Sequence, residues 1–214
     1  MPYAALGAAL ARRSRPLAAL AAAIAGLAIA GAGAHAAQAA IINTGACDSS
    51  TLTQPFKAWG DSGSYKLVPG GDFESGLAGW ALSGGARVVP GSEPFDATGQ
   101  AGGSSLYLPA GASVTSPATC VDAAYPWFRF FARDDSPLSA VAVSVVYKTA
   151  LGLTVSVPVG VVTLSANWQP TLRMLTASAV TGALAGGTTD VSVRFTALLG
   201  PAQIDDVYVD PRLC

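Results

Sequence analysis

The most informative part of this sequence is Gly70-Gly71-Asp72-Phe73-Glu74-Ser75-Gly76-Leu77-Ala78-Gly79-Trp80. Its glycines and its aspartate favour tight turns, because glycine adopts positive φ freely and an Asp side chain bonds to nearby backbone groups. Its two large aromatic side chains, Phe73 and Trp80, need a core in which to be buried. We therefore interpret the stretch as the entry to a β-sandwich.

Short segments with β-forming composition lie around this stretch and are separated by Gly- and Pro-rich turns. The most regular is 140–148, where Val141, Val143, Val145 and Tyr147 share one face of a strand. Other candidate strands are 65–68, 80–82, 86–89, 105–108, 112–115, 126–133, 153–162, 168–176, 191–196 and 204–209. About ten strands without a convincing helix predict an all-β fold, an antiparallel β-sandwich.

The first 39 residues differ from the rest and are predicted to be a secretory signal peptide. A basic patch is formed by Arg12, Arg13 and Arg15. An apolar run follows over residues 17–34, and Ala37-Gln38-Ala39 is a small-x-small cleavage signature. The alternative is an uncleaved membrane anchor, because the run is about long enough to span a bilayer.

The chain therefore divides into a signal peptide (1–39), an N-terminal arm (40–64) and a sandwich domain (65–214). Cleavage predicts a protein that is secreted or associated with the cell envelope, without a membrane segment of its own. It removes three of the 12 basic residues and none of the 13 acidic ones, so nine basic residues remain and the net charge becomes −4. No nucleic-acid partner is expected, because such a partner requires clustered Lys and Arg.

Catalysis is not expected from this composition. The single histidine, His35, lies in the signal peptide, so the mature chain would have no Ser-His or Cys-His nucleophile pair. Glycosidases use two carboxylates that flank the scissile bond. The adjacent pairs Asp134-Asp135 and Asp205-Asp206 face apart on a strand or lie in a turn. We therefore predict that the protein is not an enzyme.

A set of short motifs resembles the carbohydrate-binding modules that have a galactose-binding-like jelly roll. The motifs are Gly71-Asp72-Phe73-Glu74-Ser75-Gly76, Gly79-Trp80, Gly103-Ser104-Ser105-Leu106, Trp168 and Ile204-Asp205-Asp206-Val207-Tyr208-Val209. Their order and spacing fit over residues 66–210, whereas the arm and the cysteine-terminated tail are not part of the general pattern. The resemblance implies a jelly roll and a carbohydrate ligand, although one fold hosts many functions.

The resemblance also implies a structural calcium ion as a cofactor. In such modules the Phe-Glu turn and the final Asp strand meet, so Glu74 and Asp205 would be ligands here, with backbone carbonyls near Gly71 or Asp72. Carboxylates and loop carbonyls supply the oxygen ligands that calcium takes. Asp206 is expected to point to the opposite face of the strand. The alternative is that Glu74 and Asp205 accept hydrogen bonds from loop amides and bind no metal.

Aromatic side chains are the candidates for contact with a sugar, because sugar rings stack on flat exposed faces. The position of Trp80 in its motif implies that it packs in the core, and the same is expected of Trp168. If Phe128 and Phe130 also face the core, the remaining residues of that strand share its outer face.

That outer face carries the candidate ligand site. Trp127 and Arg129, together with Tyr125 or Tyr147, would form a platform for a polysaccharide or cell-wall glycan. The alternative is that the N-terminal arm covers this strand through its aromatic residues, Phe56 and Trp59. The two interpretations differ in whether Trp127 is exposed beside a polar concavity.

The three cysteines are Cys47, Cys120 and Cys214. An exported chain meets oxidising conditions, so one disulfide is expected. Cys47–Cys120 is favoured because Cys214 is the last residue, where a chain frays. Cys47–Cys214 is the alternative if the ends of the domain lie close together.

Two functions follow from these observations. The first is a secreted, non-catalytic binding module with carbohydrate as its ligand. The second is a structural or interaction protein of the cell envelope that uses the same fold without a sugar site.

Overall fold

The computed structural model describes residues 51–122, 127–134, 136, 138–149, 151–175 and 188–210. These residues contain thirteen β-strands, one 3-10 helix (Lys57–Trp59) and no α-helix. None of their helices is long and apolar enough to cross a membrane. The predicted signal peptide, residues 40–50 of the arm, Tyr125, Cys47 and Cys214 lie outside the described residues.

The strands form two antiparallel sheets. In chain order they are β1 (Lys66–Leu67), β2 (Ala81–Ser83), β3 (Arg87–Pro90), β4 (Ser104–Leu108), β5 (Ser113–Thr115), β6 (Thr119–Asp122), β7 (Trp127–Arg133), β8 (Ala140–Lys148), β9 (Thr154–Thr163), β10 (Gln169–Pro170), β11 (Met174–Leu175), β12 (Thr188–Ala197) and β13 (Ala202–Asp210). The first sheet has the order β10-β7-β13-β4-β3, with β1 on β13 and β11 on β7. The second has the order β2-β5-β12-β8-β9, with β6 on β12. The predicted all-β antiparallel sandwich is confirmed.

The core lies between the inner faces of the two sheets. Phe128 and Phe130 of β7 are fully buried there, and the ring of Phe130 meets that of Phe195 edge to face, with centroids 4.8 Å apart. From β8, Val141, Val143 and Val145 enter the same core cluster. The side chains predicted to face the core on these two strands therefore do so.

The stretch from Gly70 to Trp80 forms the turns that lead into the sandwich. Phe73 and Trp80 are buried in the core, with ring centroids 5.1 Å apart, and the indole N–H of Trp80 donates to the carbonyl of Pro69 at 3.0 Å. Gly71 lies so close to β13 that a Cβ there would be 2.9 Å from the Val207 carbonyl oxygen. Only glycine fits that contact, which fixes the stretch against the last strand.

Candidate functional site

The N-terminal arm covers much of the outer face of β7. The ring of Phe56 stacks on that of Phe131 at a centroid distance of 5.4 Å, and the guanidinium of Arg129 lies 4.2 Å from the centre of the Phe56 ring. Trp59 meets Phe131 edge to face at 5.4 Å. We call the buried aromatic group here the arm cluster; it comprises Phe56, Tyr65, Phe131, Trp168 and Tyr208. The covered arrangement considered as the alternative therefore holds for Arg129 and Phe131. Trp168 is buried, but in the arm cluster and not in the core between the sheets, where it was expected.

A buried carboxylate attaches the arm to the sheet. Asp61 is 6% exposed and accepts hydrogen bonds from Arg129 Nη1 at 2.8 Å, from Arg173 Nε at 2.9 Å and from the Tyr65 hydroxyl at 2.7 Å. Gly63 N also donates to it, at 2.9 Å. Burial by itself raises the pKa of Asp61, but the hydrogen bonds from its partners outweigh burial and hold the pKa well below its usual range. Asp61 is therefore ionised and shared by two arginines.

Arg129 is not available as an open sugar contact in this arrangement. It is 6% exposed, and its Nε donates to the carbonyl oxygen of Thr171 at 2.7 Å while Nη1 is bound to Asp61. Its planar donor fork is thus directed at the protein itself. The structure consequently separates the predicted pair: Arg129 is beneath the arm, whereas Trp127 is not fully buried.

Trp127 lines a cleft of about 580 Å³ at one edge of the sandwich. The cleft lies where β9 of the second sheet approaches β10 and β11 of the first, and residues 159, 161–165 and 169–175 form its walls. The polar side chains exposed at this cleft are Thr163, Ser165, Gln169 and Arg173. Val161 and Leu172 supply exposed apolar surface. The half-buried indole of Trp127 is therefore combined with hydrogen-bonding groups in a concave site.

The remaining predicted contact residues do not join Trp127 in the described structure. Tyr147 lies on β8 of the second sheet, half-buried and packed against the core cluster. Tyr125 falls outside the described residues. Of the four candidates, Trp127 alone is described as a cleft residue, and the ligand role of all four stays a prediction.

Sequence reasoning missed Arg173 and Gln169. Both lie in the segment that was predicted only as a strand, 168–176. Arg173 lies in the connection between β10 and β11, beside Leu172, which is 85% exposed. No local pattern in the sequence marks this connection as part of a surface site. Only the approach of β9 turns this segment into a cleft wall.

The two predicted calcium ligands are held by loop donors. Oε1 of Glu74 accepts hydrogen bonds from the amides of Gly103 at 2.7 Å and Ser104 at 2.8 Å. Oδ2 of Asp205 accepts from Ser92 Oγ at 2.7 Å and from the Glu93 amide at 2.9 Å. These hydrogen bonds match the alternative interpretation, in which the two carboxylates accept from donors in the neighbouring loops. Calcium binding by Glu74 and Asp205 stays a prediction.

Asp206 does not turn away from Asp205 as the alternation of a regular strand predicts. The pairing of β13 with β7 shifts between Asp205 and Tyr208, and Asp206 has a φ of 47°. Both carboxyl groups are almost completely buried. The Asp205 carboxylate accepts a hydrogen bond from the backbone amide of Glu93, and the Asp206 carboxyl group is hydrogen-bonded to the Glu93 side chain. Burial raises the pKa of Asp205 and of Asp206, and the neighbouring carboxyl groups add to the rise. The expectation that only one of them faces a given site is therefore wrong, because the bulge breaks the alternation.

Among the residues that the structure describes, no group of three or more His, Cys, Asp or Glu side chains is arranged as a metal site. Cys120 lies on β6. Both possible partners, Cys47 and Cys214, lie outside the described residues, so the Cys47–Cys120 pairing stays a prediction.

Comparison with known proteins shows that this chain is similar to some of them in fold. No protein-family model matches this chain, and no curated protein matches it. Among solved structures, the fold resembles carbohydrate-binding modules. A family 61 module in complex with β-1,4-galactotriose is 18% identical, has a TM-score of 0.40, and aligns over 68% of this chain and 98% of the module.

Two further structures show the range of these likenesses. The family 22 xylan-binding domain of Paenibacillus barcinonensis Xyn10C is 14% identical, with a TM-score of 0.45, over 71% of this chain and 97% of that domain. The enzymatically active domain of tailspike protein 4 of bacteriophage CBA120 is 12% identical, with a TM-score of 0.45, over 67% of this chain. The present chain spans only 21% of that tailspike domain. At sequence identities this low, the similarity is one of fold only.

Proposed function

We propose that this protein is a secreted, non-catalytic module that binds a polysaccharide or cell-wall glycan in the cleft beside Trp127. One observation carries the proposal: the half-buried indole of Trp127 lies in a concave site of about 580 Å³ with exposed polar side chains around it. Ligand sites are typically concave, with apolar walls and a few polar groups that fix orientation.

The side chains of the cleft match the two surfaces of a sugar. The ring of Trp127 offers a flat apolar face to the axial C–H bonds of a pyranose. Gln169 has both a donor and an acceptor in its amide, and Arg173 supplies N–H donors, so both can bond to hydroxyl groups. Val161 and Leu172 extend the apolar wall along the cleft. A chain of sugar rings would contact both kinds of surface.

The composition of the cleft supports binding rather than hydrolysis. Glycoside hydrolysis generally requires two carboxyl groups that flank the scissile bond. The described residues that line the cleft include no Asp, Glu, His or Cys. The predicted export signal in residues 1–39 supports a location where polysaccharides are met.

A depletion assay tests the proposal. The mature protein is mixed with insoluble polysaccharides and with bacterial cell wall, and the protein left in solution is measured beside a Trp127→Ala variant. We expect retention on at least one of these materials and its loss in the variant. The matched control is Tyr107→Ala, which removes a half-buried ring from β4 outside the cleft and is expected to leave retention unchanged.

The assay also separates the second function. Failure of every material to retain the native protein would overturn the proposal and favour a structural or interaction protein of the cell envelope. That alternative draws support from the arm, which covers Arg129 and Phe131 on the outer face of β7. Melting curves of both variants show whether a loss of retention reflects the site or the fold.

The same protein preparations test the predicted calcium. Thermal unfolding is recorded in calcium and in a chelator, for the native protein and for Glu74→Gln. A melting temperature that is higher in calcium, with a smaller rise in the variant, would support the ion. Identical melting temperatures would leave Glu74 and Asp205 as acceptors for loop amides.

A further inference from the structure

In the part of the chain that the structure describes, one of the side chains that line the cleft beside Trp127 is charged. Among the described residues that line it, Arg173 is the only ionisable side chain, and the others are apolar or neutral. The side chain of Arg173 is 46% exposed. A ligand in this cleft therefore meets one positive charge and no negative one from the lining.

The orientation of Arg173 is fixed by the arm. Its Nε donates to Asp61 Oδ2 at 2.9 Å, and its Nη2 donates to Asp61 Oδ1. Such a two-point contact holds the plane of a guanidinium, so the side chain reaches the cleft already ordered. Asp61 is itself held by Arg129, Tyr65 and Gly63, and is almost completely buried. The arm thus contributes to a cleft whose lining comes from other segments.

The charges of this group do not cancel. One carboxylate, Asp61, is shared by two guanidinium groups, Arg129 and Arg173, so the group carries one net positive charge. Arg129 is 6% exposed, whereas Arg173 is substantially exposed. The excess positive charge is consequently presented to solvent through Arg173, at the cleft.

We infer that the cleft selects a glycan that carries carboxylate groups, with Arg173 binding a uronate carboxylate while Trp127 stacks on a sugar ring, and with Asp61 as the positioning residue for Arg173. This inference rests on the proposed glycan-binding function and names the class of its ligand. Guanidinium groups bind carboxylates with strong, directional, charge-assisted hydrogen bonds. The apolar walls lower the competition from water for that contact.

The test uses polymers that differ only in charge. Polygalacturonate, alginate and hyaluronan are each compared with the same polymer after reduction of its carboxyl groups to alcohols, by affinity electrophoresis of the mature protein. At least one charged polymer is expected to bind about tenfold or more tightly than its reduced form, since a factor of ten is modest for a charge-assisted contact. Raising the salt concentration should weaken binding to the charged polymer and leave binding to its reduced form unchanged.

Two variants with the same change of charge locate the effect. Arg173→Gln is expected to abolish the preference for the charged polymer, and it should fold because Arg129 and Tyr65 still bond to Asp61. Arg87→Gln removes an exposed arginine that lies over Tyr107 on the first sheet, and it should keep the preference. Asp61→Asn, which frees Arg173 from its charged anchor, is expected to reduce the preference without removing binding to the reduced polymer.

The outcomes separate this inference from the function on which it rests. Equal binding of charged and reduced polymers, or an unchanged preference in Arg173→Gln, would overturn the acidic ligand. If the native protein bound the polymers and Trp127→Ala did not, the glycan-binding function would still stand. Absence of binding to every polymer, charged or reduced, together with no retention in the depletion assay, would overturn both the acidic ligand and the glycan-binding function.

Discussion

The two sheets of the sandwich differ in what lies on their outer faces. On the second sheet, the outward positions of β12 carry Ser192, Arg194 and Thr196, which are only partly buried, and Arg194 Nε donates to Thr115 Oγ1 at 2.9 Å. On the first sheet, the outward positions of β7 carry Arg129 and Phe131, both almost completely buried. One outer face thus meets water, and the other meets the arm.

This difference shows that a sandwich domain can need a third layer. A sheet with one solvated face alternates apolar and polar residues, as β12 does. The run from Phe128 to Phe131 carries aromatic rings on both faces, so its outward ring, that of Phe131, must be covered by residues from outside the two sheets. Phe56 and Trp59 of the arm supply that cover. The described part of the arm is therefore integral to the fold.

The largest expected effect comes from removing the centre of the arm cluster. Phe56 is fully buried; its ring packs on Phe131 and meets Tyr65 and Tyr208 edge to face. Phe56→Ala is expected to lower the free energy of unfolding by about 3–5 kcal/mol, as for other buried aromatic truncations. Urea unfolding with a common m-value measures this change. A cost below about 1 kcal/mol would mean that the covered face does not depend on the arm.

A slightly smaller effect is expected at the charged attachment of the arm. Asp61→Asn leaves Arg129 buried without a negative partner, which typically costs about 3 kcal/mol or more. The retained amide oxygen still accepts a hydrogen bond, so we expect the lower end of that range. The free energy of unfolding is again the measurement. Asp96→Asn, at an exposed position with a φ of 52°, is the control and should change little because Asn tolerates positive φ. Equal stability of both variants would contradict a role for the ion pair.

Acid should weaken the same attachment in the native protein. Because the hydrogen bonds of Asp61 hold its pKa below the usual value, its ionised form stabilises the fold. That stability is fully present above the unfolded pKa of about 4 and is lost as the pH falls toward the lower folded pKa. The difference in unfolding free energy between native protein and Asp61→Asn should therefore shrink below pH 4, by an amount on the order of 2 kcal/mol. Other carboxyl groups are common to both proteins and cancel. A difference that stayed constant between pH 7 and pH 2.5 would contradict the lowered pKa.

The parts of the fold that depend on local pattern could be predicted from the sequence. The alternation of valines over residues 140–148 and the aromatic residues of 126–133 gave the strands and their inner faces, which the structure confirms. These predictions hold because the side-chain period of a strand is fixed by its geometry. Where β13 contains a bulge, the same reasoning fails, and Asp206 shares the surroundings of Asp205.

The candidate site depends on contacts that no local pattern encodes. Asp61 is 68 residues from Arg129 and 112 from Arg173 in the sequence, and the three meet only through packing of the arm on the sheet. For the same reason, the sequence does not decide between a sugar platform and a covered strand. The structure divides that strand, with Arg129 and Phe131 covered and Trp127 at a cleft.

The smallest effect is expected on the outer face that no layer covers. Thr196 lies on β12 opposite Ala142 and Ser113, on the face away from the core, and it is only partly buried. Thr196→Val keeps the β-branched shape that suits a strand and removes only a hydroxyl group that water can satisfy. The free energy of unfolding should therefore change by less than about 0.5 kcal/mol. A loss comparable to that of Phe56→Ala would show that this face is covered as well, and the contrast between the two sheets would fail.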